Sequence, residues 1–366
     1  MTTRRRWALV ALVLAVVVGV PTALRAVPPA DSDVAAADLL ALVRGAEGRA
    51  WSGYVETQGT LQLPTSDDFD GVAALFGERT RLRAWWRSDD DWRVDRLLAT
   101  GESDLRHDDG VTVAWSYERS EAELSRDPAV RLPRTADLVP PVLGARVLRG
   151  IGADDVSRVP SRRVAGTAAP GLRVRPPAPQ ASVDHVDLWA DPVTGVPLRV
   201  EVHTSPTGPP DFTSAFGDFS REVPPASVTD FSPTATTDVE VEQVLDIADA
   251  ANQYAPFRPP GVVGGLPRSS ASAGAVGVYG TGLTQLVAIP LRPQEAEPLR
   301  AQLRTAVGAA DVPGLPAVRL AVGPLGVLVT GQDDEGAWLV AGTVDAPTLE
   351  RAGRDLLTGT RVVGRR

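Results

Sequence analysis

Three histidines, His107, His185 and His203, are the first candidates in this sequence for acid–base or metal chemistry. They lie far apart along the chain beside charged residues of strand-like segments, so we expect solvated strand histidines. The sequence contains no H-E-x-x-H, paired-cysteine or G-x-S-x-G motif. It also contains no cysteine and no lysine, which excludes disulfides, thiolate chemistry, Schiff bases and P-loops. We therefore predict a non-enzymatic protein with no catalytic residue, no metal site and no cofactor.

Acidic and glycine-rich clusters do not change this prediction. The segments "SDDDW" (Ser88–Trp92) and "DDFD" (Asp67–Asp70) lack the residue spacing of a calcium-binding loop. The first lies between two strand-like segments and is most simply a charged hairpin turn. The glycines of "GVVGG" (Gly261–Gly265) have neither a following lysine nor a strand-then-helix context, so we predict a loop there.

Tryptophan is the more informative residue type. Six of the eight tryptophans, at positions 51, 85, 86, 92, 115 and 189, fall in strand-like segments of the N-terminal part of the chain. Ordinary core packing explains them, and the alternative is that some line an apolar groove for an acyl chain. Each buried methylene of such a chain contributes about 0.8 kcal/mol. The predicted groove residues, taken from the apolar phase of their strands, are Leu82, Trp86, Val94, Trp115, Leu198 and Val200.

The elements that position these residues are predicted to be strands of a large antiparallel sheet. In "VPLRVEVH" (196–203) apolar residues alternate with polar ones, which is typical of a sheet with one covered and one solvated face. The segment "VTVAWSY" (111–117) has the same period and places Val111, Val113, Trp115 and Tyr117 on one face. Between the strands of the hairpin, "DPVTG" (Asp191–Gly195) has the proline and glycine of a tight turn.

Helices are fewer in this part of the chain. Apolar residues at helical spacing predict one helix in "DVAAADLLALVRGA" (33–46). The segment "TADLVPPVLGARVL" (135–148) is predicted to be helical or loop-like, and to be broken by Pro140 and Pro141.

The N-terminus predicts export. Three arginines precede an apolar run from Trp7 to Val20, which is typical of a signal peptide or an N-terminal membrane anchor spanning residues 1–26. Everything after Ala26 then faces away from the cytoplasm. The chain has a net charge of −9, so we do not expect nucleic acid as a partner.

The composition changes near residue 233. The segment "TDVEVEQVLDIADAA" (237–251) is predicted to be helical, with Thr237 and Glu240 at capping-box spacing. A stretch rich in proline, glycine and serine follows, and then strands alternate with two helices. This pattern predicts an α+β protein with an N-terminal domain at 33–232, a helix and linker at 233–272, and a small domain at 273–359.

Several segments resemble the RseB/MucB family of the LolA/RseB superfamily. They are "VAGTAAPGLRVRP" (Val164–Pro176), "VDHVDLWADPVTGVPLRVEV" (183–202), "DLLALVRGAEGRAWSGYVETQ" (Asp38–Gln58) and, near the C-terminus, "WLVAGTVDAPTLERAGRDLL" (338–357). Gly166 matches the pattern, whereas Thr167 stands where the family often has arginine. The resemblance implies a large, curved, open antiparallel sheet, a LolA-like half-barrel wrapped over helices, followed by a smaller α+β domain.

The resemblance also implies a function. Such a protein would bind the extracytoplasmic domain of an anti-sigma factor, protect it from proteolysis, and release it when a lipidic signal occupies a hydrophobic groove. The alternative is a LolA-like carrier of acyl lipid or lipoprotein, and a third hypothesis is a hydrolase that uses His107 or His185. In the first two cases we expect the chain to associate with the membrane through its N-terminal segment.

Overall fold

The computed structural model describes Trp7 and residues 29–60, 76–77, 79–99, 101–127, 131, 133–233, 237–241, 247–331 and 336–363, with only the backbone of 247, 249 and 250. Apart from Trp7, the predicted export segment 1–26 lies outside the described residues, as does the acidic cluster Asp67–Asp70. Within the described ranges, no helix is both long and apolar enough to span a membrane.

A sheet of twelve strands forms the larger part of the fold. Its strands are β1 (Trp51–Gly59), β2 (Arg79–Ser88), β3 (Asp91–Leu98), β4 (Gly101–Asp108), β5 (Val111–Ser116), β6 (Glu121–Arg126), β7 (Val156–Val164), β8 (Thr167–Val174), β9 (His185–Ala190), β10 (Pro197–His203), β11 (Phe212–Ser220) and β12 (Asp238–Val241).

The strand order is β12-β6-β5-β4-β3-β2-β1-β11-β10-β9-β8-β7. Sequential hairpins build both halves, and the pairing of β1 with β11 joins them. Every pairing is antiparallel except that of β12 with β6. Because β12 and β7 lie at opposite edges, the sheet does not close, which confirms the predicted large, open, mostly antiparallel sheet.

Helices cover one face of this sheet. Helix α1 (Ala36–Arg44) buries Leu39, Leu40 and Val43, and helix α2 (Pro140–Val147) packs across β10. Together with a 3₁₀ helix at Thr135–Leu138, they form one core with the inward-facing side chains of β8–β11 and another with those of β1–β3. A second 3₁₀ helix lies at Ala153–Asp155. The covered face is therefore the one that α1 and α2 contact.

The two prolines at the start of α2 correct a prediction. We expected Pro140 and Pro141 to break the segment, but they are the first residues of the helix. Proline is compatible with the first helical turn because its missing N–H would have no partner there and its φ is already helical.

The predicted tight turn at Asp191–Gly195, between β9 and β10, is confirmed, and it packs against helix α1. Gly195 has φ +77°, a left-handed conformation that favours glycine. A Cβ atom at Gly195 would lie 2.2 Å from the carbonyl oxygen of Leu42, so the turn contacts the α1 backbone directly. Asp191 fixes the turn by accepting hydrogen bonds from the Thr194 N–H and hydroxyl at 2.8 and 2.6 Å.

The prediction of a solvated face for this hairpin is wrong. Every residue of β9 is buried, and Glu201 and His203 on β10 are 7% and 8% exposed. Charged residues on this face pair with each other: Arg199 donates to Glu201 at 2.7 Å, and Arg173 donates to both carboxylate oxygens of Asp187 at 2.7 Å. Paired side chains allow a charged face to be buried, which an alternating pattern cannot show.

Two further predictions need correction. The segment after Thr237 was expected to be helical from its start, but Asp238–Val241 forms β12, and the helix α4 is described only over Ile247–Tyr254. Strand β5 ends at Ser116, and Tyr117 lies in a turn with 69% of its surface exposed. The strand β12 forms by pairing with β6, and the two-residue alternation of β5 extends one residue past the strand's end.

The remaining elements are α3 (Ala226–Thr229), β13 (Phe257–Arg258), β14 (Val262–Val263), β15 (Leu266–Pro267), β16 (Gly277–Thr281), β17 (Thr284–Leu291), α5 (Pro293–Thr305), β18 (Ala310–Asp311), β19 (Ala317–Val322), β20 (Leu325–Thr330), β21 (Ala337–Gly342), α6 (Ala346–Gly359) and β22 (Arg361–Val362). Six of these strands form a second sheet with the order β16-β17-β21-β20-β19-β18.

Helices α5 and α6 pack on opposite faces of the second sheet. Leu328 belongs to the cluster under α6, and its neighbour Val329 belongs to the cluster under α5. The predicted loop at Gly261–Gly265 contains strand β14 and the tight turn of the β14–β15 hairpin, which has positive φ at Gly264 and Gly265. These elements complete the predicted α+β fold.

Candidate functional site

A cavity of about 600 Å³ opens on the covered face of the large sheet. The start of β1, the β2–β3 turn and the strand ends beside it, the end of β4, the C-terminal end of α1, helix α2 and the 3₁₀ helix at Thr135–Leu138 surround it. This volume lies in the usual range for small-molecule sites, about 300–1,000 Å³. Its principal lining residues are Arg44, Arg49, Trp51, Trp86, Trp92, His107, Arg131, Asp137, Arg146 and Arg149.

One wall of the cavity is a ladder of stacked rings, which we call the aromatic ladder: Trp51, Trp86, Trp92 and His107. These residues are direct cross-strand neighbours on four adjacent strands. Successive ring centroids are 5.5, 5.2 and 5.3 Å apart, with interplanar angles of 7°, 2° and 12°. Aromatic pairs of this kind contribute about 0.5–1.5 kcal/mol beyond their buried area. The ladder is therefore a rigid apolar wall.

The ladder forms because of the direction of the strands. Trp51 begins β1, Trp86 lies near the end of β2, Trp92 lies near the start of β3, and His107 lies near the end of β4. In an antiparallel meander, the end of one strand lies beside the start of the next, so these positions meet in one row. The alternation of aromatic residues between strand ends is visible in the sequence, but we did not predict the row from it.

Arginines line the opposite side of the cavity. The lining contains five arginines and four carboxylates, in a chain whose net charge is −9. Arg49 and Arg149 form no ion pair with any residue that the structure describes. Arg44 donates to the carbonyl oxygen of Leu148 at 3.2 Å. Cationic side chains without acidic partners are suited to an anionic ligand.

Asp137 holds the arginine side of the cavity together. Its carboxylate accepts hydrogen bonds from Arg131 at 2.6 and 2.9 Å and from Arg146 at 2.6 Å. Burial raises the pKa of Asp137, but the hydrogen bond from Arg131 and the charges of Arg146 and Arg131 outweigh it, so the pKa is lowered. Burial lowers the pKa of Arg146, against the attraction of Asp137, and Arg131 and Arg149 lower it further. Positive charge is therefore in excess at this wall.

The predicted groove residues occupy three different environments. Leu82, Val94, Leu198 and Val200 are 0% exposed and belong to the protein's own cores. Trp86 is 8% exposed and lines the cavity.

Trp115 corrects the predicted placement. It pairs with Asp104 and contacts Phe231 in a tilted arrangement, with ring centroids 5.9 Å apart, on the face opposite to Trp92 and His107. The alternation of apolar residues in β5 does not identify the face that lines the cavity, because residues 230–231 cover the opposite face of this strand as well. Ligand binding by any of the six predicted groove residues stays a prediction.

All three histidines are buried, so the expectation of solvated strand histidines is wrong. His107 is the last ring of the aromatic ladder, and its Nδ1 lies 3.0 Å from the hydroxyl of Thr112. His185 and His203 lie on the opposite face of the sheet, directly across from each other on β9 and β10. Distance along the chain gave no indication of this pairing.

The sequence matches no protein-family model and no curated protein. Among solved structures, the fold is similar to one in the MucA/MucB complex of Pseudomonas aeruginosa, at 20% identity and a TM-score of 0.50, covering 90% of this chain and 99% of that chain. MucB in complex with MucA(peri) is 19% identical, with a TM-score of 0.49 and the same coverage. MucB alone is 16% identical, with a TM-score of 0.47, covering 87% of this chain and 96% of its own.

Proposed function

We propose that this chain, which has an RseB/MucB-like fold, is a non-enzymatic regulator that acts outside the cytoplasm. In this proposal it binds the extracytoplasmic domain of a membrane-spanning anti-sigma factor. It releases that partner when a lipidic ligand occupies the cavity beside the aromatic ladder. The N-terminal segment 1–26 exports the chain or anchors it to the membrane.

The observation that carries this proposal is the extent of the shared fold. The similarity spans 90% of this chain and 99% of a chain in the MucA/MucB complex, so it includes both the large and the six-stranded sheet. That structure is, by its description, an assembly with MucA, and a related one contains the periplasmic part of MucA. In this proposal, a chain with the same fold binds the same kind of partner.

The chemistry of the cavity favours an anionic amphiphile as the signal. The aromatic ladder offers apolar surface, against which each buried methylene contributes about 0.8 kcal/mol. Arg49 and Arg149, which have no acidic partners among the described residues, offer hydrogen bonds to an anionic headgroup. A ligand with both an apolar chain and an anionic headgroup would contact both walls of the cavity.

We further propose that the two predicted domains have different roles. Residues 33–232 would hold the ligand, and residues 273–359 would contribute to binding the partner. Backbone bonds connect the two parts: the Asp345 N–H donates to the Gln180 carbonyl at 2.8 Å, and Ser182 donates to Thr343 at 3.3 Å. Occupation of the cavity would reach the partner-binding surface through this junction.

Copurification tests the proposed partner. The full chain is coexpressed with the anti-sigma factor of the same genome that carries an extracytoplasmic domain, and the complex is isolated from solubilised membranes. We expect a stable complex that requires the extracytoplasmic domain of the anti-sigma factor. The matched control retains only its cytoplasmic and membrane-spanning parts and should not bind. If neither form is retained, the proposed function is wrong.

A lipid or lipoprotein carrier is the alternative, and the cavity on the open sheet favours it. This function requires only the large sheet and gives no role to β16–β21. Native mass spectrometry distinguishes the two functions. A carrier retains one acyl lipid per chain through purification and transfers it to acceptor membranes. The proposed regulator binds amphiphile reversibly and transfers none.

A further inference from the structure

The paired histidines of the β9–β10 hairpin form a cluster with an acidic neighbour. His185 and His203 are 2% and 8% exposed, and their ring centroids lie 4.4 Å apart with an interplanar angle of 11°. Asp187, two residues along β9, is 6% exposed. One potential ligand atom from each of these three residues lies within 4.8 Å of the other two. This cluster is separate from the cavity, because it lies on the opposite face of the sheet.

The hydrogen bond of His185 fixes which ring nitrogen has a free lone pair. Its Nδ1 lies 2.6 Å from Oδ2 of Asp184, so Nδ1 carries the proton and donates it to this carboxylate. In the neutral form of this ring, Nε2 is then the nitrogen with a lone pair. A carboxylate that accepts from the distal nitrogen of a histidine is the common outer partner of histidines that bind metal ions.

His203 supplies a second, independent observation. Its Nε2 atom is buried and has no hydrogen-bond partner among the residues that the structure describes. The acidic oxygen near it, Oε2 of Glu201, is 3.9 Å away, which is beyond hydrogen-bond distance. A buried polar atom without a partner costs about 1–3 kcal/mol. A metal ion would remove that cost by accepting the Nε2 lone pair.

Asp187 is oriented towards the same place by Arg173. The guanidinium donates one hydrogen bond of 2.7 Å to each carboxylate oxygen. Each oxygen keeps a further lone pair, so the carboxylate retains the capacity to bind a cation. Arg173 reduces the net negative charge of the cluster, but it also holds Asp187 in one orientation, as outer partners of ligating carboxylates do.

We propose that His185, His203 and Asp187 bind one divalent first-row transition-metal ion, of which Zn²⁺ is the representative. The donor set of two imidazole nitrogens and one carboxylate oxygen suits this class of ion, with water as the fourth ligand. In a chain without cysteine, the ion acts as a cross-link between β9 and β10.

Zinc titration of the full chain tests this site. The protein is purified without a polyhistidine tag and stripped with a chelator, and binding is followed by calorimetry and by the zinc content after gel filtration. We expect one ion per chain, and a loss of about 100-fold or more in affinity for His185→Ala, His203→Ala and Asp187→Asn. Asp184→Asn should weaken binding by about 10–100-fold without changing the stoichiometry.

The third histidine provides the matched control. His107→Ala removes a buried imidazole on the other face of the sheet. The zinc affinity of this variant should therefore equal that of the unchanged chain. Affinities that are equal in all variants, or no retained zinc in the unchanged chain, would overturn the proposal.

A second measurement requires no variant. Co²⁺ added to the stripped, unchanged chain should give the visible absorption of a four-coordinate site with nitrogen and oxygen ligands. Zn²⁺ should then displace the Co²⁺ at one equivalent. A Co²⁺ spectrum identical to that of the free hydrated ion would overturn the proposal even if the histidine variants failed to fold.

Discussion

Replacing Asp137 by asparagine removes the charge that holds two arginines at the cavity wall. The side chain of Asp137 is 5% exposed, that of Arg131 is 25% exposed, and that of Arg146 is 43% exposed. Asparagine has nearly the same shape and still accepts the 2.8 Å hydrogen bond from the Arg134 N–H. The substitution therefore tests the charge of Asp137 rather than its volume.

The burial of the three side chains sets the magnitude. Exposed ion pairs contribute about 0–1 kcal/mol, whereas breaking a fully buried pair costs about 3–5 kcal/mol. Here the carboxylate is buried but both arginines retain contact with water. We therefore expect Asp137→Asn to lower the free energy of unfolding by about 2–3 kcal/mol, between these limits.

The effect should depend on pH in a defined direction. The pKa of folded Asp137 is lowered below its ordinary value of 3.8, because the arginines outweigh the effect of burial. A lowered pKa contributes stability that is present above 3.8 and lost as the pH falls through the folded pKa. The difference between the two proteins should thus be constant near neutral pH and shrink below about pH 4.

Urea unfolding followed by tryptophan fluorescence measures this difference, since six of the eight tryptophans lie on strands of the large sheet. Asp154→Asn, at an exposed residue of the second 3₁₀ helix, is the matched control and should change stability by less than about 0.5 kcal/mol. A loss for Asp137→Asn no larger than that of the control would refute the proposed role of Asp137 in the cavity wall.

Three further predictions concern the ligand, the hairpin turn and the outer face of the sheet. Arg149→Glu should weaken binding of an anionic amphiphile about tenfold or more by equilibrium dialysis, whereas Arg258→Glu, an exposed arginine of the other sheet region, should not. Gly195→Ala should lower the melting temperature clearly more than Gly166→Ala. Both glycines have positive φ, but only at Gly195 would the added Cβ atom lie 2.2 Å from a backbone oxygen. Burial raises the pKa of Asp95 from 3.8 to about 7; the hydrogen bond and charge of Arg93 oppose this shift, and the charge of Asp104 adds to it. The free energy of unfolding should therefore fall as the pH rises from 3.8 to about 7. Asp95→Asn should remove this pH dependence.

The sequence predicts the sheet well because its strands are long and alternate regularly. The hairpin turn at Asp191–Gly195 is also readable, since proline and glycine at these positions restrict the backbone to a turn. The prolines of α2 were misread because the rule for helix interiors was applied to a first turn. The short strand β12 depends on an edge of β6 that lies more than a hundred residues away, so local pattern could not predict it.

The candidate site was predictable only in part. The tryptophans were recognised as the informative residues, and Trp86 does line the cavity. Which strand face Trp115 occupies depends on what covers β5, and that is tertiary information. The arginine wall and the His185–His203 pair come together only through strand register, to which spacing along the chain gives no guide.

The most direct test of the proposed regulation is whether the ligand and the partner compete. The affinity of the full chain for the extracytoplasmic domain of the anti-sigma factor is measured by calorimetry with and without a saturating anionic amphiphile. A coupling of about 1–3 kcal/mol is usual between linked sites, so we predict that the amphiphile weakens the complex about 5- to 150-fold. An uncharged amphiphile of the same chain length should have a smaller effect. A complex whose affinity is the same at every amphiphile concentration would contradict this regulation.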